Sequence, residues 1–176
     1  MWVFGYGSLM WDGWHTNPNR GCIRSARATF RGYRRAFNKK SVRNWGTREN
    51  PGPTLNLIKA DGASCHGIAF EFPDDRTNAI LEYLREREGR NFAFPRLQIH
   101  IDDGSAATAI VPLYEAGDII ATNNARDIAA KVVKARGRDG ACIDYVKGIA
   151  ETLERLNIED PCVTELWREL RLTSQP

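Results

Sequence analysis

Trp2-Val3-Phe4-Gly5-Tyr6-Gly7-Ser8-Leu9 is an apolar run that breaks into Gly-x-Gly-Ser, and it reads as a short buried strand ending in an open backbone loop. Glycine takes positive φ freely and has no Cβ in the way, so successive amides of such a loop can converge on one anion or oxyanion. The same text also fits an ordinary tight turn, since a Gly-x-Gly alone is a weak motif. The pattern beyond the loop sets the fold class. Ala28 to Phe37 reads as an aromatic-rich second strand, followed by a polar loop between Asn38 and Pro53. Leu55 to Ile58 and Cys65 to Phe72 read as two further strands around an Asp61-Gly62 turn.

The period then changes. From Asp74 or Asp75 as N-cap, Thr77, Ile80, Leu81 and Leu84 recur at helical spacing, with Gly89 placed to end the helix. Leu97, Ile99 and Ile101 alternate with polar residues, turn at Asp102-Asp103-Gly104, and return through Ile110, Val111 and Leu113 as a hairpin. Past Gly117 the chain reads as helices over Ala125 to Ala135, over about Ala141 to Leu156, and around Leu166, Trp167 and Leu170. Strands with one embedded helix, then helices, predict an α+β fold with a mixed or antiparallel sheet that is closed or strongly curled.

At 176 residues the chain is expected to form a single domain over 1–176. Hydrophobic residues at 42%, charged residues at 27% and five tryptophans exclude disorder as the main state. Neither a signal-peptide pattern nor an apolar run of membrane-spanning length is present, so the expected location is cytoplasmic, with no membrane partner. Cys22, Cys65, Cys142 and Cys162 have no C-x-x-C pairing, and with only His15, His66 and His100 beside them the pattern argues against zinc. They read as small apolar residues of a reducing compartment.

Net charge is only +3, yet Arg20, Arg24, Arg27, Arg31, Arg34, Arg35, Lys39, Lys40, Arg43 and Arg48 occupy a segment with no acidic residue among them. Such a segment steers an anionic small molecule, binds nucleic acid, or is a solvated face, and charge alone does not separate the three.

Projecting the first helix at about 100° per residue puts Glu88 on the stripe of Thr77, Leu81 and Leu84, while Glu82 and Glu86 point away. An inward carboxylate in the last turn meets burial and the negative helix end, both of which disfavour ionisation and suit general acid/base work. The alternative is that Glu88 bends outward or pairs with Arg85, Arg87 or Arg90. Tyr145 shares a stripe with Ile149 and Leu153, which turns its ring to the core with a hydroxyl that needs a partner. No Gly-x-Ser-x-Gly elbow, phosphate loop or dinucleotide fingerprint occurs, and no cofactor signature is present.

With these residues in place, the chain resembles the ChaC family of γ-glutamylcyclotransferases. The matching text is Trp2 through Leu9, Arg31-Gly32-Tyr33-Arg34-Arg35, Gly46-Thr47-Arg48-Glu49-Asn50-Pro51-Gly52, Cys65-His66-Gly67-Ile68-Ala69, Tyr83-Leu84 with Arg87-Glu88, and Asp144-Tyr145-Val146, in the family's order. The resemblance implies an α+β fold built on a small mixed β-barrel with helices outside. It implies a γ-glutamyl amide as small-molecule substrate, cleaved to 5-oxoproline and a released amine with neither metal nor cofactor. It also implies Glu88 as acid/base, Val3, Phe4, Gly5, Tyr6, Gly7, Ser8 and Leu9 as the segment cradling the γ-glutamyl unit, and Tyr145 as a pocket residue.

Two departures bear on the substrate. Lys39-Lys40-Ser41-Val42-Arg43-Asn44-Trp45 stands where glutathione-acting members carry a Gln-Gly-Ser-Thr-Asp-His-Arg-like stretch, and Arg90-Asn91-Phe92 replaces Gly-Gly-Tyr. Glutathione leads, with other γ-glutamyl compounds open. The competing expectation is a non-catalytic module of the same fold that binds a small ligand or nucleic acid through the Arg-rich segment 20–48. Nucleic acid is not the expected partner, and oligomeric state is not legible.

Overall fold

The computed structural model describes residues 1–173. The chain divides into two compact units, Met1–Arg34 with Lys59–Ala116, and Arg35–Ile58 with the chain from Gly117 onward. Strands β1 (Trp2–Gly5), β2 (Arg24–Ser41), β3 (Gly52–Glu71), β5 (Arg96–Ile101) and β6 (Ala106–Ile110) form a closed barrel in the order β1-β3-β2-β5-β6. The sheet is mixed. Strand β1 runs antiparallel to β3, with Trp2 opposite Glu71 and Gly5 opposite Ile68, and parallel to β6, with Val3 opposite Ile110. Paired on both edges, β1 loses Val3 and Phe4 entirely from solvent. The predicted hairpin is the β5–β6 pair, turning at Gly104 with φ +88°.

Strands β2 and β3 are longer than the sequence suggests. The Asp61-Gly62 pair does not break the chain into two strands; Gly62 sits inside β3 at φ +74°, and Gly32 sits inside β2 at φ +78°. A left-handed glycine within a strand is the signature of a bulge, which bends the ladder without ending it. The expected return strand is shorter: β6 stops at Ile110, and Leu113–Tyr114 forms β7, paired with β4 (Phe92–Ala93).

Helix α1 (Thr77–Glu88) follows a 3-10 turn at Asp74–Arg76. Neither aspartate caps it. The Asp74 carboxylate accepts from the Met1 ammonium at 2.7 Å, a full positive charge that competes well against a helix amide. Ile80 and Leu84 pack with Val3, Leu9, Trp14, Phe70, Phe72 and Ile110 in one apolar cluster. The Gly89 N–H closes the helix on Arg85 O at 2.9 Å.

The second unit carries α2 (Ala125–Lys134), α3 (Cys142–Arg155) and α4 (Pro161–Thr173), with a small hairpin of β8 (Arg136–Gly137) and β9 (Gly140–Ala141). Asn124 caps α2, its side-chain oxygen accepting from the Arg126 and Asp127 amides. Ile128, Val132, Val146, Ile149, Val163, Leu166 and Leu170 are buried. Asp160 begins α4 and pairs with Arg35, whose side chain is fully buried. Among the described residues the four cysteines form no disulfide, and burial pushes the Cys142 thiol up to about 12. No helix among the described residues is long and apolar enough to cross a membrane.

Candidate active site

The loop after β1 is fixed from two sides. Tyr6 Oη donates to Pro112 O at 2.9 Å, and Trp14 Nε1 donates to Leu9 O at 3.0 Å. Trp14 is itself held between Phe70, Phe72 and the ring of Tyr83, which lies parallel to it with centroids 5.7 Å apart. Residues Ser8–Met10 form a 3-10 turn closed by Met10 N to Gly7 O at 2.9 Å. The amides at the start of such a turn have no partner within it. Among the described residues, the N–H groups of Gly7, Ser8 and Leu9 make no hydrogen bond. Val3, Phe4, Gly5, Tyr6 and Leu9 are buried, with Gly7 and Ser8 partly open.

Burying Ile80 and Leu84 turns Tyr83, Arg87 and Glu88 to partly covered positions and leaves Glu82 and Glu86 exposed. The Glu88 side chain keeps only 18% of its surface, and it pairs with Arg87, one of the alternatives open from sequence. Arg87 is the centre of the arrangement. Its Nε donates to Glu88 Oε1 at 3.1 Å, its Nη1 to Tyr83 Oη at 3.1 Å, and its Nη2 to Ser8 Oγ at 2.8 Å and to Asp12 Oδ2. Although burial opposes its charge, Asp12 and Glu88 raise the Arg87 pKa above the ordinary guanidinium value. Arg20 stacks its guanidinium 3.8 Å from the centre of the Tyr83 ring and donates to Trp14 O. One guanidinium thus connects the glycine loop to Glu88. Oε2 of Glu88 has no partner among the described residues.

Tyr145 lies in the second unit and is 5% exposed. Its hydroxyl accepts from the Leu55 amide at 3.1 Å, and its ring packs 5.4 Å from Trp45, one of the residues that departs from the family pattern. Phe92, in the other departure, packs against Tyr114 at 5.4 Å. Sequence reasoning missed the two residues that organise the loop side of α1. Arg87 had a local signal, its i, i+4 spacing from Tyr83 on one helix face. Asp12 had none, since nothing in the sequence connects it to a helix that starts at Thr77.

The basic segment is not one continuous free surface. Arg24 pairs with Glu71 and Arg27 with Asp102, each at 2.7 Å, Lys40 with Asp118, and Arg35 with Asp160. Arg31, Arg34, Arg43 and Arg48 are exposed. Among the described residues no group of three or more His, Cys, Asp or Glu side chains is arranged to hold a metal ion.

A family model described as ChaC-like protein matches residues 1–172. The chain belongs to this family. The gamma-glutamylcyclotransferase 2-3 of Arabidopsis thaliana is 33% identical over 182 residues, covering 97% of this chain and 88% of its own length. The glutathione-specific gamma-glutamylcyclotransferase of Escherichia coli K12 is 30% identical, covering 94% of this chain and 71% of its own. A crystal structure of the glutathione-specific cyclotransferase from yeast superposes with a TM-score of 0.83 at 18% identity over 99% of both chains, a likeness of fold. The expected ChaC-like α+β architecture is therefore found, with its closed five-stranded barrel.

Proposed function

We propose that this ChaC-like chain is a γ-glutamylcyclotransferase that acts without a cofactor, with glutathione as its leading substrate and 5-oxoproline and the released amine as products. The observation that carries the reading is the guanidinium of Arg87, in contact at once with Ser8 of the glycine loop and with Glu88. Family membership over residues 1–172 and the names of the relatives supply the reaction class.

The bond changes need only proton movement. The substrate α-ammonium must lose a proton before its nitrogen attacks the γ-carbonyl of the same molecule. Glu88 is assigned to accept that proton, through the oxygen that Arg87 leaves open. Attack forms the ring C–N bond and places negative charge on the carbonyl oxygen, and the unused amides of Gly7, Ser8 and Leu9 supply donors for that oxygen or for the α-carboxylate. When the amide C–N bond breaks, Glu88 returns its proton to the leaving nitrogen, and the second hydrogen of the ring nitrogen, shed as the lactam forms, goes to the released amine, which departs as an ammonium. Nucleophile and electrophile belong to one molecule, so the pocket contributes orientation by holding it folded. Val3 to Leu9 and Tyr145 enter this proposal as substrate-contacting residues on the family resemblance.

A cytoplasmic location is part of the same proposal, supported by four cysteines that form no disulfide among the described residues. The nucleic-acid alternative gains nothing from the fold, because several of the basic side chains it needs are occupied in ion pairs. The test is 5-oxoproline release from glutathione and from a panel of γ-glutamyl amino acids, with wild type and with Glu88→Gln, which keeps size and removes the base. We expect the variant to lose roughly 100- to 10,000-fold in kcat. Full turnover in that variant would reject the role given to Glu88.

A further inference from the structure

Arginine holds a carboxylate most firmly through a two-pronged fork, and on its side edge the fork uses Nε and Nη2 together. Arg87 does not do this with Glu88. Its Nε reaches Glu88 Oε1, but its Nη2 is engaged by Ser8 Oγ and by Asp12 Oδ2. Asp12 is anchored in turn, since its Oδ1 accepts from the Trp14 amide at 3.1 Å, and Trp14 is fixed by its own contacts to Leu9 O and the Tyr83 ring. Tyr83 Oη occupies Nη1. Every nitrogen of the guanidinium is therefore committed, and only one of them is committed to Glu88.

We propose that Asp12 is a positioning residue: by holding Nη2 of Arg87 it denies Glu88 a bidentate fork and keeps one carboxylate oxygen open to the substrate. The inference rests on the cyclotransferase reading above and adds to it a residue that acts through another. Without the Asp12 charge, Nη2 turns to the nearest remaining carboxylate, which is Glu88 on the adjoining position of the same helix. Both oxygens of Glu88 are then tied to Arg87, and neither is left open to the substrate ammonium. Binding contacts made by the loop amides are unchanged by that rotation, so the loss falls on the chemical step.

The test is steady-state kinetics with glutathione or the best γ-glutamyl substrate of the panel, on wild type, Asp12→Asn, Asp12→Glu, Arg87→Met and the Asp12→Asn/Arg87→Met pair, with a melting curve for each. Asp12→Asn keeps an oxygen for the Trp14 amide and replaces Oδ2, the charged acceptor that faces Nη2, by an NH2 group that cannot accept from it. It is expected to lower kcat about 10-fold with KM inside about twofold, the pattern of an interaction needed in the transition state. Asp12→Glu is expected to recover most of that loss. In the Arg87→Met background, where no fork can form, adding Asp12→Asn should change kcat by less than about twofold. An undiminished kcat in Asp12→Asn, or the same 10-fold loss with and without Arg87, would overturn the inference while leaving the function intact. A wild type that releases no 5-oxoproline from any substrate would overturn the function and this inference with it.

Discussion

Removing the charge of Asp160 probes the most deeply buried ion pair among the described residues. Arg35 is fully buried and Asp160 keeps 12% of its surface, with Nη1 and Oδ2 2.7 Å apart. The other oxygen, Oδ1, accepts from the Val163 amide at 3.2 Å in the first turn of α4. Asp160→Asn retains an oxygen for that amide and takes away the carboxylate charge 2.7 Å from the buried guanidinium. Breaking one side of a buried pair costs about 3–5 kcal/mol, and the slight opening at Asp160 points to the lower end, ~3 kcal/mol. Asp160→Ala also loses the cap, worth ~1 kcal/mol more. Unfolding entropy near 60 °C scales to about 0.4 kcal/mol/K for a chain of 176 residues, so Tm should fall by about 8 °C and about 11 °C respectively. Replacing both members, Arg35→Met with Asp160→Asn, removes the buried cation as well and should bring Tm back to within about 3 °C of wild type. Thermal denaturation followed by circular dichroism measures all three. An Asn variant that melts with the wild type, or a double variant no better than the single, would refute the reasoning.

Two further outcomes follow from the barrel and its loop. A Cβ on Gly67 would overlap the Gly5 carbonyl and lie 3.0 Å from the Phe4 ring, so Gly67→Ala must push β1 off β3 by on the order of 1 Å at the root of the loop. We expect about 1–3 kcal/mol of destabilisation and a fall in kcat/KM of roughly 10- to 100-fold, and wild-type melting with wild-type turnover would contradict it. His15 has its pKa lowered by burial, partly offset by Asp12, and its Nδ1 is buried with no partner among the described residues. The unfolded chain takes up that proton more readily than the folded one, so this part of the stability is present above about pH 6.5 and is lost as pH falls below it. Urea midpoints at pH 7.5 and 5.5 should therefore differ more for wild type than for His15→Gln; equal differences would remove His15 from the account.

Local patterns were legible where one element explains itself. The apolar spacing of Ile80, Leu81 and Leu84 located α1 and turned Glu88 toward the covered side, and Leu97, Ile99 and Ile101 gave the β5–β6 hairpin. The Asp61-Gly62 pair misled because a glycine at positive φ serves a turn and a bulge alike, and only the partner strand distinguishes them. A closed sheet was expected, but the pair that closes it, β1 running parallel to β6, was out of reach, since Val3 and Ile110 carry no mark that selects each other. At the site, the glycine loop and Glu88 could be read one at a time. Their connection depends on a long guanidinium shared among Ser8, Asp12, Tyr83 and Glu88, and that is a matter of tertiary placement.

Strand β1 finds its neighbours at residues 68–71 and 109–110. Contacts so distant along the chain carry a loop-closure entropy that the packed strands must offset. The glycine turn begins where β1 ends, so its anchorage rests on those two pairings. A change that loosens the seam of β1 with β3 and β6 is thus expected to reach the glycine turn without touching it.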